Sequence, residues 1–254
     1  MTSSDNRNGP RGAGQYDNLD RLVRRYHLRR IRRTRIGNRT RLFVRKGLWA
    51  ASAKGFHATK RLMDLVGAII LMVLSFPLLL FVAIAIKLED RGEVLFWQER
   101  IGLHGKVFFC PKFRSMIPDA DRMIVSVAGY NHHGDSITFK MKSDPRVTWI
   151  GRVIRRFSID ELPQLWCVLT GDMALVGPRP ALPREVSRYR IVQRRRLDVK
   201  PGLTCIWQVA GRGDLPFSRQ VELDVEYVES QTLLLDLKLL LMTVPAVLTG
   251  RGAY

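Results

Sequence analysis

The chain is poor in cysteine. Its three cysteines, Cys110, Cys167 and Cys205, stand at wide, irregular spacing, which excludes a disulfide framework and the paired spacing of a zinc site. They are expected as reduced, mostly buried thiols on the cytoplasmic side. Histidine is scarce too. His27, His57 and His104 are isolated, and His132-His133 fall in a stretch that reads as a loop, so none has metal-ligand spacing. There is no Gly-rich phosphate cradle, no Gly-x-Ser-x-Gly elbow and no internal repeat. No secretory leader is expected, because the long apolar run comes only after about sixty residues and small-residue cleavage chemistry is missing.

Acidic charge is lacking at one end only. Of the 42 Lys and Arg and 23 Asp and Glu in the 254 residues, positions 1–61 hold 17 basic side chains and three Asp. The remaining 25 basic and 20 acidic residues nearly balance, so the net charge of +19 belongs to the N-terminal segment. Residues 1–18 are polar and Gly-rich and are expected to be disordered. Residues 19–47 are dense in Arg with interspersed Leu, Ile, Val and Tyr26. This segment reads either as a basic amphipathic helix on an anionic bilayer or as a solvated tail. No aromatic stacking pattern accompanies the arginines, so a nucleic-acid partner is not expected.

What the chain does have is one long apolar run, the 22 residues Leu65 to Ile86, broken near its middle by Ser75-Phe76-Pro77. About 20 apolar residues span a bilayer. Pro77 removes a backbone donor, and Ser75 can satisfy a freed carbonyl. The positive flank fixes the first end in the cytoplasm. A full span would then carry the downstream domain to the far side, away from nucleotides. A helix–break–helix that dips in and returns keeps both ends inside, and this re-entrant reading is preferred. The division expected is an Arg-rich extension over 1–55, a re-entrant membrane helix over 56–91 and a catalytic domain over 92–254.

Beyond the run, Val94 to Trp97 and Val107 to Phe109 read as short strands around His104-Gly105. Pro118 is expected to open a helix to about Ala128, followed by a loop over 129–142. Helices are predicted over 147–157, 159–169 and 183–196, with Ser158 and Glu161 forming a capping box. The leucine-rich segment Leu233 to Leu248 carries Asp236, Lys238 and Pro245, so it reads as an interfacial or packing helix rather than a second span.

Three clusters can carry chemistry. In the first, Lys112 and Arg114 can clamp a phosphate. The nearby Asp119 and Asp121 either hold a metal or merely complement a helix dipole. The second runs from Asp144-Pro145-Arg146 through Arg152, Arg155 and Arg156 to Asp160-Glu161. Its arginines form either a cationic stripe for pyrophosphate or headgroups, or a solvated face. An ionised Asp160 beside a docked phosphate can attack phosphorus or hold Mg²⁺; the alternative is that the two acids only cap a helix. In the third, Pro178 and Pro180 bracket Arg179, which presents a guanidinium on a stiff backbone or is only a rigid turn.

With these residues in view, the chain resembles the monotopic phosphoglycosyl transferases, the bacterial sugar transferases that start exopolysaccharide assembly. The resemblance covers about residues 58–254. It is carried by Lys60-Arg61 with Asp64, FWQERIG (96–102), KFRSM (112–116), DPRVTWIGR (144–152), SIDELPQL (158–165), GDMALVGPRP (171–180), and PGLT (201–204) running on to Trp207-Gln208-Val209. The resemblance implies an α+β fold, mainly helical with a short β element, anchored by a re-entrant helix hairpin at the bacterial inner membrane with the catalytic domain on the cytoplasmic face. It implies transfer of hexose-1-phosphate from a UDP-hexose to undecaprenyl phosphate, with release of UMP, a covalent aspartyl-phosphosugar intermediate and Mg²⁺ as cofactor. Asp160 would be nucleophile and metal contact, and Glu161 its partner. Lys112, Arg114 and Arg179, with Pro178 and Pro180, would bind substrate; Arg100 and Arg146 match polar family positions and join that group, either as contacts or as structural ties. Cys167 and Cys205 stand where Asn and Gly are expected in relatives. Membrane lipids are expected partners, and a homo-oligomer is left open. The competing readings are a metal-dependent glycosyltransferase using Asp119-Ala120-Asp121 and a non-enzymatic membrane tether.

Overall fold

The apolar run lies inside a single helix, α1 (Asn38–Asp90), with Pro77 in its interior. The computed structural model describes residues 38–118, 120, 123, 144–212 and 215–250, with side chains from Gly55 onward. Asp119 and Asp121, the helix expected to about Ala128, the 129–142 loop and the extension up to residue 37 lie outside the described residues. The chain divides into Met1–Gly55 and Phe56–Tyr254, and the second unit holds everything below.

The helix expected to break at Ser75–Pro77 is not interrupted there. Pro77 costs one backbone donor, the one that would meet the Val73 carbonyl, and Ser75 Oγ turns back onto the neighbouring Met72 carbonyl at 3.4 Å. Lys60, Asp64, Ala68, Val82 and Ile86 are buried on α1. Their spacing near four places them on one stripe. Between them, Ile69, Ile70, Val73, Leu74, Phe76 and Phe81 stay exposed. Among the described residues α1 carries the one segment long and apolar enough to cross a membrane, Gly55–Asp90.

Strands β1 (Leu95–Ile101) and β2 (Val107–Phe113) form an antiparallel hairpin, registered Leu95 to Phe113 and Ile101 to Val107. Both run further than the short strands expected. His104 and Gly105 form the turn in left-handed backbone. Next come α2 (Trp149–Arg156), capped by the Thr148 side chain on Gly151 N at 2.9 Å, a 3-10 segment (Ile159–Gln164) and α3 (Leu165–Thr170). One helix was predicted over 159–169; Pro163, which lacks an N–H, sits in the 3-10 part. Ser158 corrects the expected capping box. Its φ of 54° is left-handed, and its side chain makes no cap bond, whereas an N-cap needs extended backbone to reach the helix N–H groups.

Strand β3 (Ala174–Val176) pairs in parallel with β4 (Gly202–Thr204), a sheet the sequence reading did not foresee. The helix predicted over 183–196 splits into α4 (Pro183–Val186) and a 3-10 segment (Val192–Leu197), because Tyr189 between them leaves the helical path to bury against Phe217 and Val221. The chain ends with α5 (Ile206–Ala210), α6 (Phe217–Ser230) and α7 (Leu233–Thr249). The fold is thus α+β, mainly helical with small sheets.

The main core joins Ala68 of α1 to Phe108 and Cys110 of β2, Leu165 and Val168 of α3, Leu175 and Val176 of β3, Tyr227 of α6 and Leu239 of α7. A second cluster joins Val82 and Ile86 of α1 to Phe113 of β2 and Ile154 of α2. One domain therefore packs against both flanks of the apolar run. All three cysteines are free and buried.

Candidate active site

Three chain segments meet at Glu161. Strand β2 brings Lys112, the 3-10 segment brings Asp160 and Glu161, and the turn after β3 brings Arg179. Lys112 Nζ donates to Glu161 Oε1 at 2.9 Å. Arg179 Nη2 donates to the same oxygen at 2.8 Å, and Nη1 reaches Oε2 at 3.4 Å. Glu161, placed by the sequence reading in a capping box, is instead the acceptor at the centre of a two-cation clamp. Asp160 carries no hydrogen bond among the described residues.

The electrostatics of the two acids diverge. Burial opposes the Glu161 charge, but Arg179 and Lys112 outweigh it and hold its carboxyl well below the usual range. Asp160 is half-buried, and burial, with the neighbouring Glu161 charge, pushes it up to about 6 against the pull of Lys112, Arg155 and Arg179. The ion pair with Glu161 in turn raises Arg179, whereas burial lowers Lys112 despite its partner. An ionised carboxylate without a donor of its own is what a nucleophile or a cation ligand needs.

The Arg179 turn is held by backbone. Gly202 N donates to Pro178 O at 2.9 Å, and Gly177 N to Thr204 O at 3.0 Å. A Cβ on Gly202 would lie 2.0 Å from Gly177 N, so glycine is required for this close approach. Pro178 and Pro180 are buried and touch the site only through the arginine between them. Arg100 lies behind the turn: it donates to Pro180 O at 2.7 Å and also bonds Gln98, and burial lowers it to about 10.

Arg114, expected to hold phosphate, and Arg146, expected as a substrate contact or a structural tie, are engaged elsewhere. Arg114 pairs with Asp90 at the end of α1. Arg146 pairs with Asp144 at 2.7 Å and reaches the Ala120 carbonyl at 3.4 Å. Of the stripe Arg152, Arg155 and Arg156, only Arg155 acts on Asp160; the other two are exposed.

Arg212 was missed. It follows α5 in left-handed backbone with φ 48°. Burial lowers it while the Glu161 charge raises it, and its buried Nη1 has no hydrogen-bond partner among the described residues. A basic residue continuing the Trp207-Gln208-Val209 motif was the available signal.

Among the described residues, no three His, Cys, Asp or Glu side chains gather as a metal cluster. The donor set fits a hard cation of another kind. Glu161 is already neutralised, Asp160 is not, and Mg²⁺ characteristically takes one or two carboxylates and completes its shell with water and substrate phosphates.

The family model for bacterial sugar transferases matches residues 56–250. The galactosyl transferase CpsE of Streptococcus agalactiae is 42% identical over 195 residues, covering 76% of this chain and 43% of CpsE. The exopolysaccharide production protein ExoY of Sinorhizobium fredii is 38% identical over 199 residues, covering 77% of this chain and 88% of ExoY. The undecaprenyl-phosphate galactose phosphotransferase of Salmonella typhimurium is 40% identical over 202 residues, covering 77% and 41%. The chain thus spans less than half the length of the first and third, and most of ExoY.

Proposed function

The chain belongs to the bacterial sugar transferase family, and from that premise we propose that it transfers hexose-1-phosphate from a UDP-hexose to undecaprenyl phosphate and releases UMP. The observation that carries the reading is the split pair: Glu161 held by Lys112 and Arg179, and Asp160 beside it with no donor. An Asp160 oxygen attacks the sugar-bearing phosphorus, the bond from that phosphorus to the UMP oxygen breaks, and an aspartyl-phosphosugar remains. An oxygen of the lipid phosphate then attacks the same phosphorus, and the aspartyl bond breaks to return the carboxylate. Lys112, Arg179 and Arg155 oppose the negative charge that builds up on the attacked phosphorus and its leaving group in each step, and cations fixed in advance do this without reorganising. Mg²⁺ would be held by Asp160 together with the substrate phosphates, and when bound it would neutralise charge on the leaving UMP.

The acceptor is a lipid, and the packing of α1 supports a seat on one leaflet. About 33 Å of helix separates Asp64 from Ile86, close to the thickness of a bilayer core. A domain outside the membrane cannot touch both ends of a crossing helix, yet the two core clusters do so. A shallow seating of the uninterrupted helix therefore fits better than a span, with the domain on the cytoplasmic face of the inner membrane. Helix α7 fits the same plane. Asp236 and Leu239 are buried, whereas Leu234, Leu237, Leu241, Val244 and Leu248 are exposed, a face suited to the acyl boundary.

The test uses UDP-glucose and UDP-galactose labelled in the β-phosphorus, with vesicles containing undecaprenyl phosphate. Label in the lipid and release of UMP are expected with at least one sugar. Label retained in UDP would replace the reading with glycosyl transfer, and no transfer with any UDP-sugar would remove it.

A further inference from the structure

The polar N-terminal end of α1 is unused by this chemistry. Lys60, Arg61 and Asp64 sit where the helix enters its apolar run, and all three reach into the domain. Lys60 Nζ donates to Asp236 Oδ2 at 2.6 Å and to Val176 O at 3.1 Å. Tyr227 joins the same knot, donating to Asp236 Oδ1 at 2.6 Å and approaching Val176 O at 3.0 Å. Asp64 Oδ1 accepts from Leu175 N at 2.9 Å. Lys60 and Asp64 thus hold the last two residues of β3, and Arg179 follows Val176 by three residues. Arg61 takes the other half. Its Nη1 donates to Val168 O at 2.5 Å and its Nη2 to Leu169 O at 2.8 Å, carbonyls in the last turn of α3 that no intrahelical N–H can reach. Helix α3 continues directly from the 3-10 segment that carries Asp160 and Glu161.

We infer that Lys60, Arg61 and Asp64 are positioning residues, which fix the Arg179 turn and the Asp160-Glu161 segment to the membrane helix and so set the clamp at the depth where the helix seats. None of the three belongs to the Lys112, Glu161 and Arg179 clamp. The inference rests on the reading that Asp160, Glu161 and Arg179 carry the transfer. A bare anchoring role would need only apolar packing, which Ala68 and Met72 already supply. Buried charges need exact partners, and beside Asp236, which pairs with Lys60, the partners here are backbone carbonyls and an amide in the two segments that lead to the clamp.

The experiment uses the full chain in vesicles with undecaprenyl phosphate, comparing wild type, Arg61→Gln and the double variant Lys60→Met/Asp236→Leu. The double variant removes both charges together and keeps the volume apolar, which buried pairs tolerate. For both variants kcat/KM is expected to fall by roughly 10–100-fold, the cost of a displacement of about 1 Å at a reacting centre. The second readout is the split between kcat and KM for the UDP-sugar. If the Arg179 turn or the acidic segment shifts, the reacting groups lose their alignment, so the loss is expected chiefly in kcat. A folded variant with wild-type kcat/KM overturns the inference, and so does a loss confined to KM. Arg61→Gln protein that cannot be recovered folded also counts against it, since anchoring would then be the role of these residues. Wild-type protein that transfers no label would instead sink the underlying reading.

Discussion

Two clusters in this molecule are built from the same kinds of side chain and differ in one respect. Around Asp236 both carboxylate oxygens are taken, Oδ1 by Tyr227 and Oδ2 by Lys60, and all three groups are buried. Around Glu161 both oxygens are also taken, by Lys112 and Arg179, but a second carboxylate, Asp160, is left over. The closed cluster ties helices α1, α6 and α7 to β3 and has nothing left with which to bind a ligand. The open cluster holds an acid that burial and a neighbouring anion both disfavour as an anion. Such a group lowers stability in the resting protein. Its retention is explained by what it can attack or bind.

The sharpest break of this comparison makes the same substitution in both places. Asp160→Asn is expected to lower turnover by about 10³-fold or more, as removal of a nucleophile does, and to prevent any phosphosugar adduct by mass spectrometry. It is also expected to raise the melting temperature by about 2–4 °C, because relief of a strained charge is worth on the order of 1 kcal/mol. Asp236→Asn should do the reverse for stability, at a cost of about 3 kcal/mol for uncoupling a buried charge pair. Equal stability effects at the two sites would mean that the clusters are not of different kinds.

The pH dependence sharpens the same contrast. The folded pKa of Asp160 lies near 6, above its usual value of 3.8. The native state therefore binds more protons than the unfolded chain between these values, and the cost of the charge develops as pH rises through that window. Activity runs the opposite way. The nucleophile must be ionised, so kcat/KM is expected to fall as pH drops through about 6, with Glu161 already ionised throughout. A limb near 4 would place Asp160 in an ordinary solvated setting and remove the basis for calling the cluster open.

Much of the open cluster was legible because its parts are local. Asp160-Glu161 are adjacent, Pro178 and Pro180 fix Arg179 between them, and Lys112 sits in a strand read from its apolar neighbours. The pairing was not legible. Nothing periodic links Lys112 to a glutamate 49 positions on, and the capping-box spacing pointed Glu161 at Ser158 instead. The left-handed backbone at Ser158 decides between them. The same limit applies to the other arginines. Arg114 was read as a phosphate contact, and Arg100 and Arg146 as substrate contacts or structural ties; their partners here are Asp90, Pro180 O and Asp144. Asp144 lies two residues from Arg146 and could have been guessed; Pro180 and Asp90 depend on tertiary packing. In the fold, α1 and the hairpin stood out by their length and turn residues, while β3 and β4 pair over only three residues each, too few for an alternating pattern to show.

Arg212 gives the smallest expected effect and tests where the open cluster ends. Its Nη1 is buried without an acceptor, a costly state unless something outside the described contacts uses the donor. The Glu161 charge acts on it, but both Glu161 oxygens already have donors. The acceptor that fits is a substrate phosphate oxygen. Arg212→Gln is then expected to raise the KM for UDP-sugar by about 5–20-fold, the loss of one charge-assisted hydrogen bond, while kcat changes by about 2-fold or less because the attack on phosphorus does not pass through it. Arg212→Lys, which keeps the charge but not the fork, should recover part of the KM. If kcat falls and KM holds, Arg212 acts on the transition state and the open cluster is wider than Asp160. If neither moves, the cluster ends at Arg179, and the buried donor of Arg212 is satisfied by the protein itself.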